Sequence, residues 1–163
     1  MTTESKHIIS ILVDNQPGVL SRVVGLFSGR GYNIESLCVA ETTEPRVSRL
    51  TMVTIGDEAI IEQIKKQLNK LINVIKVYDL TGTQYVQREL ILIKVKAKPD
   101  HRAEILRVVD IFRGKVVDVS AEHYTIEVTG SNEKLEAILT LLTPFGIKEV
   151  ARTGNIALQR EVR

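Results

Sequence analysis

Two successive stretches of this 163-residue chain carry the same order of periodic patterns, and that repetition limits the fold more than any single motif does. The first stretch reads as a strand at Ile8–Val13, a helix at Val19–Arg30, strands at Ile34–Glu41 and Arg49–Ile55, a helix at Asp57–Ile72 and a strand at Val74–Leu80. After Thr81-Gly82-Thr83-Gln84 the order returns. A strand at Glu89–Ala97 is followed by a helix at Asp100–Arg113, strands at Lys115–Ser120 and Tyr124–Thr129, a helix at Asn132–Phe145 and a strand at Ile147–Leu158. The expected fold is α+β, with two tandem ferredoxin-like βαββαβ domains at residues 1–81 and 82–163.

The patterns inside these elements say which faces are buried. Ile91, Ile93 and Val95 alternate with Lys94 and Lys96, and Tyr124, Ile126 and Val128 alternate with Thr125 and Glu127. Each set describes a strand with one buried face. In the second helix Ile61, Ile64, Leu68 and Leu71 form a stripe opposite Lys65, Lys66 and Lys70, and Asp57 is placed to cap its start. With 44% hydrophobic residues, 4% aromatic and no Trp, the cores must be built from Val, Ile and Leu, as sheets covered by helices are. The first strand departs from simple alternation. Ile9, Ile11 and Val13 occupy one face while Ile8 and Leu12 occupy the other, so both faces of that sheet are expected to be at least partly covered. Such a face, together with open sheet edges, predicts a symmetric dimer.

Between the first strand and the first helix lies Asp14-Asn15-Gln16-Pro17-Gly18-Val19-Leu20. Pro17 suits the first helical position, and Val19, Leu20, Val23, Val24 and Phe27 recur at helical spacing as far as Arg30-Gly31. Two readings fit this segment. One is a plain strand-to-helix turn. The other is a seat for a small anion, because unpaired N–H groups and the positive end of the helix dipole favour a carboxylate, and Gly18 has no Cβ to keep a ligand from the backbone.

Other chemistry finds little support. His7, His101 and His123 lie at a strand start, a helix start and a turn, without the spacing of a metal site. Cys38 lies alone within a strand and reads as a small buried side chain, and no disulfide can form within the chain. The glycines at 25, 29 and 31 fall within and after a helix and make no nucleotide fingerprint. No nucleophile elbow or P-loop occurs. RNA binding by a sheet of this type needs aromatic platforms, but Ile9, Ile11, Met52 and Val53 stand on the corresponding strands. The net charge of +2, from 22 basic and 20 acidic residues, gives no electrostatic footprint for nucleic acid. The basic residues Arg88, Lys94, Lys96, Lys98, Arg102 and Arg107 read as a solvated face. No apolar run approaches the roughly 20 residues needed to span a bilayer, and Met1–Lys6 is short and polar. No membrane association is expected, and the cytoplasm is the default compartment.

Residue by residue, the chain resembles the small, regulatory subunits of acetolactate synthase. The resemblance runs through residues 14–23, then Phe27-Ser28-Gly29-Arg30-Gly31-Tyr32-Asn33-Ile34-Glu35-Ser36-Leu37, Gly56-Asp57-Glu58 and residues 63–71. It continues through Arg88-Glu89-Leu90, residues 111–119 and Gly146-Ile147-Lys148-Glu149-Val150-Ala151-Arg152-Thr153-Gly154, and so covers nearly the whole chain.

This resemblance implies that the first domain is an ACT domain and that the chain is a regulator, not an enzyme on its own. Its partner would be a catalytic large subunit that condenses two pyruvates, or pyruvate with 2-oxobutanoate. Thiamine diphosphate, Mg2+ and FAD would belong to that subunit, with no cofactor or metal in this chain. The resemblance further implies that two ACT domains pair as a homodimer and hold a branched-chain amino acid, usually valine, at their interface. Asn15, Pro17, Gly18, Val19 and Leu20 of one copy would contact it together with Asn33 and Ile34 of the other. Their chemistry suits those roles: the helix-start N–H groups receive a carboxylate, Asn15 and Asn33 accept from an ammonium, and Leu20 or Ile34 flanks an apolar side chain. A free-standing amino-acid sensor for another target is the alternative reading, and an autonomous small enzyme is a third.

Overall fold

The computed structural model describes residues 5–161. The chain divides into two compact units, one comprising Met1–Val86 with Asn155–Arg163 and the other Gln87–Gly154.

In the first unit the elements are β1 (Ser5–Asp14), α1 (Val19–Ser28), β2 (Ile34–Glu41), β3 (Val47–Gly56), α2 (Glu58–Leu68) and β4 (Val74–Asp79). The strands form an antiparallel sheet in the order β2-β3-β1-β4, the ferredoxin-like arrangement expected from the βαββαβ order. The apolar stripes of both helices lie on one face of it. Ile9, Ile11 and Val13 of β1 and Leu50 and Met52 of β3 form one buried cluster with Val19, Val23 and Phe27 of α1 and Ile61, Ile64 and Leu68 of α2. Each such large side chain taken fully out of water stabilises the fold by about 1.5–3 kcal/mol. The helix α1 ends two residues before Arg30, and the chain turns away at Gly31, whose φ of 71° suits glycine best. The side chain of Asp57 accepts a hydrogen bond from the Ile60 backbone N–H at 2.8 Å and so caps α2.

The opposite face of this sheet is covered in part, as the doubly apolar β1 implies. Ile8 and Val53 pack there with Leu80, Ala157, Tyr78 and Tyr85. Ala157 belongs to a strand the sequence pattern had merged with its predecessor. The expected strand Ile147–Leu158 is broken by Thr153-Gly154-Asn155 into β8 (Ile147–Arg152) and β9 (Ile156–Gln159). Gly154 adopts a φ of 83°, which ends the extended run. The segment after it belongs to the first unit: Arg160 N–H donates to the Gln84 carbonyl at 2.8 Å, and Asn155 N–H donates to the Ser36 hydroxyl at 3.0 Å. Residues 155–161, read from the sequence as part of the 82–163 domain, thus pack with the N-terminal unit.

The second unit repeats the plan with β5 (Tyr85–Lys96), α3 (Arg102–Ile111), β6 (Lys115–Val119), β7 (His123–Gly130), α4 (Asn132–Leu142) and β8, in the strand order β6-β7-β5-β8. Short 3-10 turns at Pro99–His101 and Thr143–Phe145 occupy the ends that periodicity alone assigned to α3 and α4. Ile91, Ile93 and Val95 pack with Ile105, Val109, Ile126, Val128, Leu135, Ile138 and Leu142. Glu89 is buried at the edge of this core, and Arg152 answers it with two parallel bonds, Nε to Oε1 at 2.9 Å and Nη2 to Oε2 at 3.1 Å. Arg152 also reaches Glu136 on α4, and these carboxylates hold its guanidinium well above the ordinary arginine range.

Candidate functional site

The turn from β1 into α1 is built around Gly18. Asn15 N–H donates to the Arg46 carbonyl at 2.8 Å and Gln16 N–H to the Asp14 carbonyl at 3.0 Å, which folds the loop back on itself before the helix. Gly18 then takes the N-cap position with φ 83° and ψ −10°, a left-handed conformation in which a side chain is strained. A Cβ built there would meet nothing within 4 Å, so the space beside the helix start is open. Helix α1 has neither a side-chain cap nor an acidic residue in its first turn. Apart from the Val19 N–H, which donates to the Gln16 carbonyl at 3.4 Å, the N–H groups and positive dipole end of that first turn have no acidic side chain of the helix to compensate them.

Beside this helix start stands Asn15, exposed in the loop. Its Nδ2 donates to Glu41 Oε2 at 3.1 Å and to the Pro45 carbonyl at 3.0 Å. Both partners are acceptors, which fixes the amide orientation and leaves Oδ1 as the group that can accept from a ligand. The seven residues named by the resemblance do not behave alike. Pro17 and Gly18 are exposed, and Leu20 is 40% exposed. Val19 is only 3% exposed, its side chain belongs to the core, and its N–H donates to the Gln16 carbonyl at 3.4 Å. Asn33 and Ile34 lie at the start of β2. Asn33 is exposed, with its carbonyl accepting from the Thr54 hydroxyl at 2.7 Å, while Ile34 is half-buried against the first core.

A feature that spacing did not reveal lies behind the helix start. Asp14, Arg22 and Asn73 converge there: Asp14 N–H donates to the Asn73 carbonyl at 2.9 Å, Asn73 Nδ2 donates to Asp14 Oδ2 at 3.1 Å, and Arg22 Nη1 donates to Asn73 Oδ1. Arg22 and Asn73 also line an open cleft of about 260 Å³ between α1 and the α2–β4 turn, with Val19, Val23, Leu71 and Val74 as its apolar wall. The signal in the sequence was the pair of asparagines in Asn69–Asn73, which closes a turn but does not announce a partner 59 residues away.

Outside this region the residues weighed for other chemistry are structural. The His7 ring is buried and shares hydrogen bonds with the hydroxyls of Ser5 and Thr81 at 2.8 and 3.1 Å, and His101 meets Phe145 edge-on at 5.3 Å. His123, expected in a turn, is the first residue of β7, and Cys38, expected to be buried, is half-exposed on β2 opposite Thr51. Among the described residues no group of three or more His, Cys, Asp and Glu could hold a metal ion, and no helix is long and apolar enough to cross a membrane.

A tandem pair of ferredoxin-like units, the first with a capless helix start at an open glycine, defines a regulatory chain of the ACT type. Comparison with known proteins gives the particular family. Residues 9–76 match the profile of the acetolactate synthase (AHAS) small subunit-like ACT domain, and residues 88–161 match that of the small subunit of acetolactate synthase. The chain is 56% identical over 159 residues to the acetolactate synthase small subunit of Aquifex aeolicus, covering 96% of this chain and 82% of that one. It is 53% identical over 158 residues to a probable acetolactate synthase small subunit of Methanothermobacter thermautotrophicus, covering 96% and 94%. The crystal structure of the small subunit from Thermotoga maritima superposes with a TM-score of 0.89 at 43% identity, covering 98% of this chain and 99% of that one. The chain belongs to the acetolactate synthase small-subunit family, whose members are regulatory subunits of a holoenzyme.

Proposed function

We propose that this chain senses a branched-chain amino acid, valine foremost, between the ACT domains of a homodimer, and that occupancy of this site modulates a cytoplasmic acetolactate synthase large subunit. The large subunit carries thiamine diphosphate, Mg2+ and FAD and performs the condensation of two pyruvates to 2-acetolactate and CO2, or of pyruvate with 2-oxobutanoate. The observation that carries the reading is the start of α1, where Gly18 at φ 83° leaves open space beside N–H groups that no side chain caps. The effector carboxylate sits against those N–H groups, and Asn15 Oδ1 accepts from its ammonium. Asn33 and Ile34 of the second copy close the site, with Leu20 flanking the effector's side chain.

Such a ligand regulates only through differential affinity. A site divided between two copies has the required property, because its geometry changes whenever the copies shift, and couplings of this kind are typically about 1–3 kcal/mol. The test is calorimetric titration of the purified chain with valine, leucine and isoleucine, its dimer mass established by sedimentation, followed by titration of the holoenzyme reconstituted with a large subunit. Saturable binding with one effector per interface, and a matching change in acetolactate formation, supports the reading. A monomer that binds none of the three, with a holoenzyme insensitive to them, overturns it.

A further inference from the structure

Resting on that effector reading, we propose that Asn73 is a positioning residue for the effector loop, a clasp that holds the end of β1 and the first turns of α1 in the geometry that presents Asn15 and the Gly18 helix start. Asn73 lies in the turn just before β4, outside the loop, and is not one of the residues assigned to the effector, although it lines the cleft that Val19 also borders. Its backbone carbonyl and both ends of its side-chain amide engage the two segments that flank the loop. Its carbonyl accepts from Asp14 N–H at 2.9 Å, its Nδ2 donates to Asp14 Oδ2 at 3.1 Å, and its Oδ1 accepts from Arg22 Nη1. Asp14 is the last residue of β1 before the loop, and Arg22 lies in the first turns of α1, its own N–H donating to the Gly18 carbonyl at 3.1 Å. One amide thus ties the two ends of the loop 15–18 to a third segment of the sheet.

The chemistry is specific to an amide. Asp14 needs a donor and Arg22 needs an acceptor, and Asn supplies both from one planar group. Aspartate at this position supplies the acceptor for Arg22 but sets a second carboxylate against Asp14. Two such carboxylates share a proton more readily than either holds one alone, which raises the pH at which the pair takes one up. The charged groups facing the position are Asp14 from β1, Arg22 from α1 and Lys70, which lines the same cleft from the α2–β4 turn. Both cations oppose that rise without supplying the missing donor.

The experiment measures amide hydrogen-exchange protection factors in the full-length chain without ligand, for the wild type, Asn73→Ala and Asn73→Asp, from mildly acidic to neutral pH. Effector titration follows on the same samples. Asn73→Ala is expected to lower protection of the Asn15 and Gln16 amides by about three- to tenfold, the range one such hydrogen bond supplies. Protection of Ile9 and Ile11 amides in the sheet core stays at the wild-type level. Asn73→Asp shows the same loss at neutral pH and regains protection as the pH falls and the carboxylate pair gains its proton, and effector affinity follows protection in each variant. Unchanged loop protection, a loss spread equally over the core amides, or an Asn73→Asp deficit that does not vary with pH overturns the proposal. If the wild type binds none of the three amino acids yet loop protection responds as described, the effector reading falls and the positioning role stands.

Discussion

At Gly18 the demands of the backbone and of the proposed effector coincide, and substitutions separate them. A Cβ at this position meets open space, so the cost of Gly18→Ala is conformational: about 1–2 kcal/mol for holding an L-residue at positive φ. Chemical denaturation is expected to show that loss, with effector affinity reduced but measurable. Gly18→Asp tolerates the left-handed conformation better, yet it sets a carboxylate at the positive end of α1 where the effector's own belongs. Calorimetry is expected to find no effector binding in Gly18→Asp, while activation of the large subunit by the folded variant persists. Wild-type affinity in that variant would place the effector elsewhere. A second residue-scale test concerns Arg152. Removing it in Arg152→Ala leaves the Glu89 carboxylate buried at 4% exposure with its main partner gone. Because Arg152 itself is one-third exposed, the expected loss is about 2–3 kcal/mol, below the range for a fully buried pair, read as a lower urea midpoint.

Elements whose periodicity and chemistry agreed were legible from the sequence. Strand β5 alternates as its pattern implied, and α2 carries both its apolar stripe and its Asp57 cap where they were expected. Asp57→Ala is expected to lower stability by about 1 kcal/mol in thermal unfolding, since the Ile60 N–H loses its acceptor. Two of the misread ends share one cause: 3-10 turns at Pro99–His101 and Thr143–Phe145 keep side chains near helical spacing while changing the hydrogen bonding, which periodicity does not register; α2, expected to reach Ile72, ends at Leu68, with Leu71 in the turn beyond it. The break at Thr153-Gly154-Asn155 was missed because apolar residues on both sides continued a strand-like pattern across it. The backbone geometry of the candidate site was legible in part. Proline and glycine punctuate the helix start locally, so Gly18 could be read from its neighbours, whereas the Asp14–Arg22–Asn73 network joins residues distant in the chain and leaves no periodic trace. Nor does spacing distinguish Val19, committed to the core, from Leu20 beside it, which is exposed.

For the molecule as a whole, the return of the C-terminal segment to the first unit has a consequence that truncation exposes. Residues Ile156 and Leu158 of β9 point largely to solvent at 55% and 60% exposure, while Ala157 between them is buried at 4% against Ile8, Val53 and Leu80. The strand therefore acts as a narrow cover over the sheet face that α1 and α2 do not reach. Ending the chain after Gly154 removes that cover and the hydrogen bonds from Arg160 N–H to the Gln84 carbonyl and from Asn155 N–H to the Ser36 hydroxyl. Uncovering part of three aliphatic side chains is expected to cost about 2 kcal/mol. The loss should fall on one unit: amides of β1 and β3 exchange faster, whereas those of Ile91, Ile93 and Ile126, whose core lies wholly within Gln87–Gly154, keep their protection. Equal loss of protection in both units would mean that they unfold as one cooperative body. No loss in either would mean that β9 contributes pairing without stability. Only the localised loss fits a C-terminal strand that completes the first unit.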